Sequence, residues 1–442
     1  MLKRVTVPRE VPNVGISIGK ANFPAPFASG LEYASPARGT WNIVHTGMLI
    51  PEAHEIFVCA AGCLRGVVLT AAELNMSHRF STVEVKEHNL LNGDMEELVI
   101  EGVSDILDKL PKKPPVVLVY TSCVHHFAGC DLDMIYGELR LRYPKIDFVD
   151  CYMNPIMRKS GMTPDQIMRS RLYQPLKERP MAKGAVSIIG SDLPTDADSD
   201  MMRMLRKNDV TVHEITSCKS YEDYQQMAES EFFISYYPAA VPGGKELTER
   251  LNRKHIYVPF SFDYDEIEAG LTRLAKETGL PAPDFSGKRE SCAAALAETL
   301  AVVGDTPIAI DYTYCPRPLG LAKLLLENGF NVRRVYLDTV SGEEKSVFAY
   351  LKENYPHLEL FPTVHASMRF LAAKEDTGWL AIGQKAAHFL HASHFVNVVE
   401  GGGMHGYQAI TKTLELLREA HKEEKDMRNL IQIKGMGCGG CV

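Results

Sequence analysis

The sequence predicts an α/β protein built from three Rossmann-like domains, in which parallel sheets are flanked by helices. The first observation is that short β-branched runs alternate with amphipathic helical patterns along most of the 442 residues. The second is that a strand–loop–helix–strand layout starts afresh near Met181 and again near Gly304. Strand–helix alternation of this kind is typical of parallel sheets covered on both faces.

The individual elements follow from the hydrophobic pattern. Apolar runs bounded by turn residues indicate strands at 115–120, 184–190, 210–216, 232–235, 256–259, 307–311, 332–337, 358–361, 379–382 and 395–399. Apolar residues at helical spacing indicate helices at 196–207, 221–229, 263–277, 319–328, 343–354 and 406–421. Ten strands are too many for one small sheet, which favours a division into domains.

Domain boundaries are expected where a new β-α-β pattern begins. This predicts an N-terminal Rossmann-like domain at 1–180, a second at 181–303, a third at 304–425 and a mobile glycine-rich tail at 426–442. The turn "IIGSDLP" is not a G-x-G-x-x-G fingerprint, and no Walker A sequence is present. Nucleotide binding by this chain therefore has no support in the sequence.

Composition and charge exclude several classes of protein. The net charge of −8 argues against a broad nucleic-acid surface. The apolar runs are much shorter than the ~20 residues that a membrane span needs. Residues 1–10 are charged and lead into no long apolar segment, so no export signal is expected. We expect a cytoplasmic protein that binds neither nucleic acid nor membranes.

Ten cysteines in such a protein need an explanation, because stable disulfides are rare in the cytoplasm. No two Cys-x-x-Cys pairs stand at zinc-finger or zinc-ribbon spacing. Half of the thiols fall at or just beyond a strand end. Cys123, Cys218 and Cys315 follow the predicted strands at 115–120, 210–216 and 307–311, and Cys59 and Cys151 follow the further strand-like runs "HEIFV" and "IDFVD". Parallel sheets bind ligands at that end, and soft thiolates suit iron–sulfur chemistry. The alternative is that these cysteines pack as small hydrophobic residues, as we expect for the helical Cys292.

Four segments, in order within residues 40–420, carry a family resemblance. They are "CAAGCLRGVV", "VVLVYTSCVHHFAGCDLD", "CKSYEDYQQMAESEFFISYY" and "MHGYQAI". Together they resemble the component 1 subunits of nitrogenase and nitrogenase-like reductases. By this resemblance Cys59 and Cys123 match cluster ligands, and Cys218 matches the cysteine that binds the active-site cofactor. His405 belongs to the His-Gly-Tyr helix start near that cofactor.

The resemblance implies three Rossmann-like domains with clusters at domain and subunit interfaces. It implies an iron–sulfur cluster at the subunit interface, either 4Fe-4S or P-cluster-like, and a second iron–sulfur metallocofactor. It further implies an anaerobic homodimer or a heterotetramer with a related component 1 subunit. Electrons would come from an ATP-dependent iron protein reductase, which agrees with the missing nucleotide motif in this chain.

The chain departs from the family at the middle cluster cysteine. Where the family has this ligand, between the segments of Cys59 and Cys123, the sequence "LNMSHRFSTVEV" holds no cysteine. Cys63, four residues after Cys59, is a candidate replacement, and Cys130 is a further one. The resulting hypothesis is a cluster held by Cys59, Cys63 and Cys123 from each of two subunits. Alternatively, Cys63 only packs beside it.

A second departure concerns the cofactor. Nitrogenase holds its cofactor with a histidine about nine residues before His-Gly-Tyr, and here that count from His405 reaches Val396, which cannot bind a metal. The resemblance therefore implies a substrate other than dinitrogen. The predicted second site combines Cys218 and His405 with Cys315 or with one of the histidines at 388, 391 and 394. His391 shares a predicted helical face with His388, and the alternative for these histidines is a surface or core role.

The tail ends in a Cys-x-x-Cys motif formed by Cys438 and Cys441. Such a pair could be a redox dithiol, a metal-delivery arm, a lid over a cofactor site or an incidental tail. Catalytic side chains beyond the proposed metal ligands cannot be named from the sequence.

The predicted function is that of a nitrogenase-like component 1 oxidoreductase that reduces a small substrate. The first alternative is a non-catalytic scaffold on which a nitrogenase-type metallocluster is assembled or handed over. A second alternative, a cluster-free binding module of the periplasmic type, is disfavoured by the positions of the cysteines.

Overall fold

The computed structural model describes residues 14–28, 43–153, 162, 164–369 and 378–426. The chain divides into two compact units, neither of which is continuous in sequence. The first unit comprises Ser35–Pro194 and Asp209–Val258, and the second comprises Met1–Ala34, Thr195–Asn208 and Pro259–Val442. Among the described residues, no helix is long and apolar enough to cross a membrane.

The strands are short, and each of the ten predicted strands overlaps one of them. Those within the described residues are β1 (Ile16–Ser17), β2 (His54–Cys59), β3 (Phe80–Glu84), β4 (Val116–Ser122), β5 (Asp147–Met153), β6 (Ala182–Ile188), β7 (Val212–Glu214), β8 (Ser230–Ser235), β9 (Lys254–Tyr257), β10 (Ile308–Asp311), β11 (Val332–Tyr336), β12 (Glu359–Phe361), β13 (Leu380–Ile382) and β14 (His394–Val396).

Helices connect most of these strands. Those within the described residues are α1 (Ile43–Gly47), α2 (Ala61–Glu73), α3 (Glu87–Asn92), α4 (Met95–Lys109), α5 (Cys123–Ala128), α6 (Leu132–Arg142), α7 (Pro164–Arg171), α8 (Asp200–Lys207), α9 (Tyr221–Gln226), α10 (Val241–Leu251), α11 (Tyr264–Thr278), α12 (Lys288–Val303), α13 (Pro318–Glu327), α14 (Lys345–Asn354), α15 (Gln384–Leu390) and α16 (Tyr407–Lys422).

The first unit contains two parallel sheets of four strands each. One has the order β3-β2-β4-β5 and the other the order β7-β6-β8-β9. In both, the chain places its second strand on one side of the first and then crosses to the other side, which is the doubly wound arrangement. All seven residues of β4 are buried, which explains its nearly continuous apolar sequence "VVLVYTS".

Two hydrophobic clusters cover the two faces of the β3-β2-β4-β5 sheet. Side chains alternate along a strand, so Phe57 and Cys59 point to one face and Ile56 and Val58 to the other. We call the cluster that contains Phe57, Cys59, Tyr120 and Cys151 the thiol-side core. The cluster that contains Ile56, Val58, Val117 and Val119 is the opposite core.

The second unit is built on a six-stranded sheet of order β1-β12-β11-β10-β13-β14. Its strands are parallel except β1, which pairs antiparallel with β12 at the edge. The prediction of an α/β protein with parallel sheets flanked by helices is thus confirmed. Apart from β1, the three sheets fall within residues 54–153, 182–257 and 308–396, and we retain the division at 181 and 304 as a proposal.

Candidate metal centre

The first candidate site lies where the β3-β2-β4-β5 sheet reverses its strand order. Cys59 is the last residue of β2, and Cys123 directly follows β4, which pairs with β2. Cys63 lies in the first turn of α2, just beyond Cys59. Doubly wound sheets bind ligands outside the carboxyl ends of their strands at this switch point. The fold therefore places the three thiols where such sheets bind ligands.

The three thiols influence one another electrostatically. Burial, followed by the charges of Cys63 and Cys123, raises the pKa of Cys59 to about 12. The pKa of Cys63 is raised by burial and then by the charge of Cys123. Neighbouring like charges oppose one another's ionisation unless a positive partner is present. A metal centre bound through the three sulfur atoms would supply that positive charge.

The side of the site next to the N-terminus of α2 is accessible to solvent. This helix begins after Ala60, whose side chain cannot cap the first backbone N–H groups. A β-carbon at Gly62 would meet no atom within 4 Å. Cys63 and Cys123 are only partly buried. A helix N-terminus favours a negatively charged group, which a thiolate-ligated cluster provides.

The donor set consists of thiols, the ligand type that holds iron–sulfur clusters. Among the described residues, no three His, Cys, Asp or Glu side chains are grouped so as to hold one metal ion. An iron–sulfur cluster is larger than one ion and takes thiolates from around its edge. The eight cysteines in the described ranges are free thiols, so the three sulfur atoms at this switch point are not engaged in disulfides.

Cys130 is separated from this site by the sheet. It follows α5 and packs with Val124 against the opposite core, whereas Cys63 packs against the thiol-side core that contains Cys59. Burial and the charge of Glu96 raise the pKa of the Cys130 thiol. The structure thus brings Cys63, and not Cys130, together with Cys59.

Cys151 does not lie beyond a strand end, so that expectation is wrong. It lies within β5, fully buried and paired in register with Tyr120. Burial raises the pKa of its thiol well above the ordinary value. The polar Asp150 interrupts the apolar run "IDFV" and suggests an end, but the strand continues through "CYM". Cys151 is a packing residue of the thiol-side core.

Cys218 lies four residues beyond β7, in the first unit. Its Sγ donates a hydrogen bond to the backbone oxygen of Glu214 at 3.2 Å. Burial, with the charges of Asp223 and Glu214, raises the pKa of the thiol to about 11. Because His405 belongs to the second unit, the site that the sequence predicts from Cys218 and His405 stays a prediction.

Within the second unit, Cys315 and His405 lie on loops that contact each other at the carboxyl edge of the sheet. The N–H of Glu400 donates to Thr313 at 2.8 Å, and the next N–H along donates to Tyr314 at 2.5 Å. Cys315 and His405 are each 1% exposed. Burial raises the pKa of Cys315 well above its ordinary value, so this thiol is held neutral.

The histidines at 388, 391 and 394 lie at the other edge of the same sheet. α15 leaves the carboxyl end of β13 and runs back to Leu390, and the parallel strand β14 then starts at His394. His388 and His391 share a face as predicted, with ring centroids 6.3 Å apart. This places His391, which is exposed, at the amino edge, whereas His405 follows β14 at the carboxyl edge.

Two helix N-termini at the carboxyl edge of this sheet are filled by buried carboxylates of the chain itself. Glu344 accepts from the N–H of Gly320 in the first turn of α13 at 2.8 Å. Asp311 accepts from the N–H of Ala386 in the first turn of α15 at 2.7 Å. These are the positions where Rossmann-like folds bind nucleotide phosphates. The arrangement agrees with the missing nucleotide motif.

Glu55 is a buried polar residue that the sequence interpretation overlooked. It lies on β2, on the same face as Phe57 and Cys59, and none of its surface is exposed. Its Oε1 lies 3.5 Å from the hydroxyl of Tyr120, and its Oε2 is buried with no hydrogen-bond partner among the described residues. A glutamate in the apolar run "HEIFVC" was the available signal.

Cys438 and Cys441 lie outside the described residues.

Comparisons with known proteins agree with this architecture. A family model described as nitrogenase component 1 type oxidoreductase matches residues 44–377. The solved structure "Nitrogenase Cp1 at pH 6.5" is similar with a TM-score of 0.65 and 14% identity, covering 89% of this chain and 94% of that one. "Nitrogenase Cp1 at pH 5" has a TM-score of 0.58 and 13% identity, covering 92% and 93%. No curated protein sequence matches this chain.

Proposed function

The chain belongs to the nitrogenase component 1 type oxidoreductases, and we propose that it holds an iron–sulfur cluster on Cys59, Cys63 and Cys123. The observation that carries this proposal is the position of three interacting thiols at the switch point of one sheet. When bound, such a cluster accepts and donates single electrons. Reduction of a small substrate other than dinitrogen is the proposed outcome.

The surrounding residues are suited to hold a cluster and keep its inner side dry. Cys59 is fully buried, and beneath it the rings of Phe57 and Tyr120 stack with their centroids 4.1 Å apart. Such packing excludes water, which strengthens the electrostatic contacts that tune a metal centre. The partly buried Cys63 and Cys123 mark the open side.

A second subunit is the proposed cover for the open side. The two helices that begin at the thiols carry apolar side chains in solvent: Val68 is 42% exposed, Leu69 37% and Phe127 71%. Exposed apolar side chains grouped next to a functional site are typical of protein interfaces. We propose that a second copy, or a related component 1 subunit, packs here and contributes its own thiols.

The electron donor is proposed to be an ATP-dependent iron protein. In the six-stranded sheet, the buried carboxylates of Glu344 and Asp311 occupy the N-termini of α13 and α15, where a phosphate could otherwise bind. The energy of ATP hydrolysis would therefore enter through the partner protein rather than through this subunit.

The second metallocofactor is proposed to bind Cys218 and His405. A substrate other than dinitrogen is proposed because Val396 stands where nitrogenase has the histidine that holds its cofactor. Val396 lies in β14 and is 1% exposed, so it packs in the core and has no ligating atom. The histidines at 388–394 lie at the opposite edge of the sheet from His405, so we do not include them in the proposed site.

The experiment is substrate-dependent electron consumption by the reconstituted protein with an iron protein and MgATP, under strictly anaerobic conditions. The account expects ATP-dependent oxidation of the iron protein that stops when Cys59→Ala replaces the wild type. Dinitrogen is expected not to be reduced. Electron flow that is the same in wild type and Cys59→Ala would contradict the role given to the thiols.

A scaffold for cluster assembly is the alternative, and the apolar Val396 favours it because a scaffold releases its cargo more easily when a ligand is missing. The discriminating measurement is transfer of iron from the loaded chain to an apo component 1 protein. Transfer without any substrate-dependent electron flow would establish the scaffold, and electron flow without transfer would establish the enzyme.

A further inference from the structure

Glu55 is a buried carboxyl group without the partners that such a group normally has. No part of it is exposed, and within the described part of the chain its Oε2 makes no hydrogen bond while its Oε1 reaches the Tyr120 hydroxyl at 3.5 Å. That hydroxyl has one proton, which it shares between Glu55 and the nearer backbone oxygen of Ile43 at 3.1 Å. An isolated carboxylate in this position would be very costly, so the group stays protonated or finds a counter-charge.

The groups that face Glu55 come from the neighbouring strands and from the turn before β3. Arg79 is the cationic neighbour, but its Nε donates to Ala53 at 2.8 Å and its terminal nitrogen donates to Ile50 at 2.5 Å. Tyr120 of β4 and Cys151 of β5 are neutral neighbours whose ionisation would oppose that of Glu55. From α1 the backbone of Gly47 approaches closely, since a β-carbon there would collide with the Glu55 carboxyl, and the same short helix carries the buried His45.

This carboxyl lies directly below the thiols on the same face of β2. Glu55 and Cys59 are four positions apart on β2, which is about 13 Å along a strand at ~3.3 Å per residue. The stacked rings of Phe57 and Tyr120 lie on the same face between these positions. Through a low-polarity interior at that distance, one added electron changes the proton affinity of a carboxylate about tenfold.

We propose that Glu55 is the proton-accepting partner of the thiol-held centre, gaining a proton when the centre is reduced and losing it when the centre is oxidised. This inference rests on the function proposed above. The electron comes from the iron protein, or from dithionite in the laboratory. The proton comes from solvent and converts the Glu55 carboxylate to the carboxylic acid, so the charge added by the electron is neutralised.

The direction of the effect follows from reciprocity between the two equilibria. Reduction raises the proton affinity of Glu55, so protonation of Glu55 must favour reduction. Burial already raises the pKa of Glu55 well above its ordinary value, and Arg79 and Tyr120 oppose that shift. The reduction potential should therefore fall as the pH rises through the range in which Glu55 ionises.

The test is the midpoint potential of the reconstituted protein measured against pH, with iron and sulfide counted first. The wild type is expected to show a potential that falls with rising pH. Glu55→Gln, which mimics the protonated carboxyl, is expected to hold the wild-type low-pH potential at every pH. Glu84→Gln is the matched control, because Glu84 is paired with Cys59 in register but is exposed to solvent.

A spectroscopic readout makes the assignment specific. A reduced-minus-oxidised infrared spectrum of the wild type should contain a protonated-carboxyl band that is missing in Glu55→Gln. Tyr120→Phe removes a hydrogen bond that stabilises the carboxylate, so the pH range of the potential change should move upward. This variant also serves as the test if Glu55→Gln does not fold.

The outcomes separate the two proposals. A loaded protein whose potential has the same pH dependence in wild type and Glu55→Gln, or no such dependence in the wild type, would overturn the role of Glu55 alone. A chain that binds no iron would overturn the role together with the proposed cluster.

Discussion

At the scale of single residues, the first unit depends on a buried ion pair between Arg169 of α7 and Asp192, which follows β6. Both side chains are 2% exposed, and the guanidinium donates to the two carboxylate oxygens at 2.8 and 2.9 Å. It also donates to the backbone oxygen of Gly190 at 2.5 Å. Removal of one member leaves an uncompensated charge in the interior, which is far more costly than loss of a surface pair.

Asp192→Asn should therefore lower the free energy of unfolding by roughly 3–5 kcal/mol. Urea denaturation followed by circular dichroism measures this change. The control is Arg142→Ala, which breaks pairs to Glu101 and Glu138 that are largely in solvent and should cost about 1 kcal/mol or less. If both variants lose the same free energy of unfolding, burial of the Arg169–Asp192 pair does not increase the cost of breaking it.

Single residues also show where sequence interpretation reached its limit. The strand-end positions of Cys59 and Cys123 followed from apolar runs, because parallel strands present their carboxyl ends at one edge. The choice between Cys63 and Cys130 did not, since it depends on which face of the sheet each thiol packs against. Glu55 was not recognised because β2 is buried on both faces. Its sequence therefore shows no alternation of polar and apolar residues from which a buried glutamate could be identified.

At the scale of elements, Glu344 links α13 to the turn before α14. It is 2% exposed, and its Oε1 accepts from the N–H of Gly320 at 2.8 Å. Burial raises its pKa from 4.5 to about 8, although backbone N–H groups and Arg317 oppose the shift. Between pH 4.5 and about 8 the folded chain therefore keeps a proton that the unfolded chain has released.

Stability should consequently fall as the pH rises through that window. The folded state binds more protons than the unfolded state, so this residue's contribution is fully present below pH 4.5 and decreases by at most about 1.4 kcal/mol per pH unit up to about pH 8. Glu344→Gln keeps the acceptor oxygen but removes the ionisation. Its stability relative to wild type should therefore increase from pH 5 to pH 8.5 in denaturant titrations.

The control for this prediction is Glu343→Gln, because Glu343 adjoins Glu344 and also pairs with Arg317. Its stability relative to wild type should not rise across the same window. A Glu344→Gln variant whose stability parallels that of wild type at every pH would contradict a protonated Glu344 in the folded state.

Element types were more predictable than element positions in space. Strong apolar runs located the strands, and apolar residues at helical spacing located the predicted helices. Whether a residue at a helix end lies at the amino edge or the carboxyl edge of the sheet was not predictable from its local sequence. Hence His391 looked like a candidate ligand in the sequence, although α15 carries it to the edge away from His405. The three strand orders likewise depend on pairings between distant segments that no local pattern encodes.

At the scale of the whole molecule, the account requires an assembly in which another subunit covers the open side of the thiol site. The apolar side chains of Leu69 on α2 and Phe127 on α5 are the exposed candidates for that contact. Leu141, on α6, is 78% exposed but belongs to a helix that packs against the opposite core. It therefore offers a matched control.

Phe127→Asp should reduce the assembly to its smaller components, because a charge buried in an apolar interface is strongly destabilising. Light scattering after anaerobic size-exclusion chromatography measures the mass. Leu141→Asp should leave the mass unchanged. If Phe127→Asp retains the wild-type mass and Leu141→Asp does not, the interface lies on the α6 side and the cluster is not shared.

The central claim is that Cys59, Cys63 and Cys123 bind an iron–sulfur cluster, and the direct measurement is iron and acid-labile sulfide per chain after anaerobic reconstitution. The account predicts that wild type and Cys130→Ala bind both in equal amounts. It predicts that Cys59→Ala, Cys63→Ala and Cys123→Ala each lose most of the iron while their circular dichroism is unchanged. Fewer than one iron per chain in the wild type, or full loading of the three variants, would contradict it.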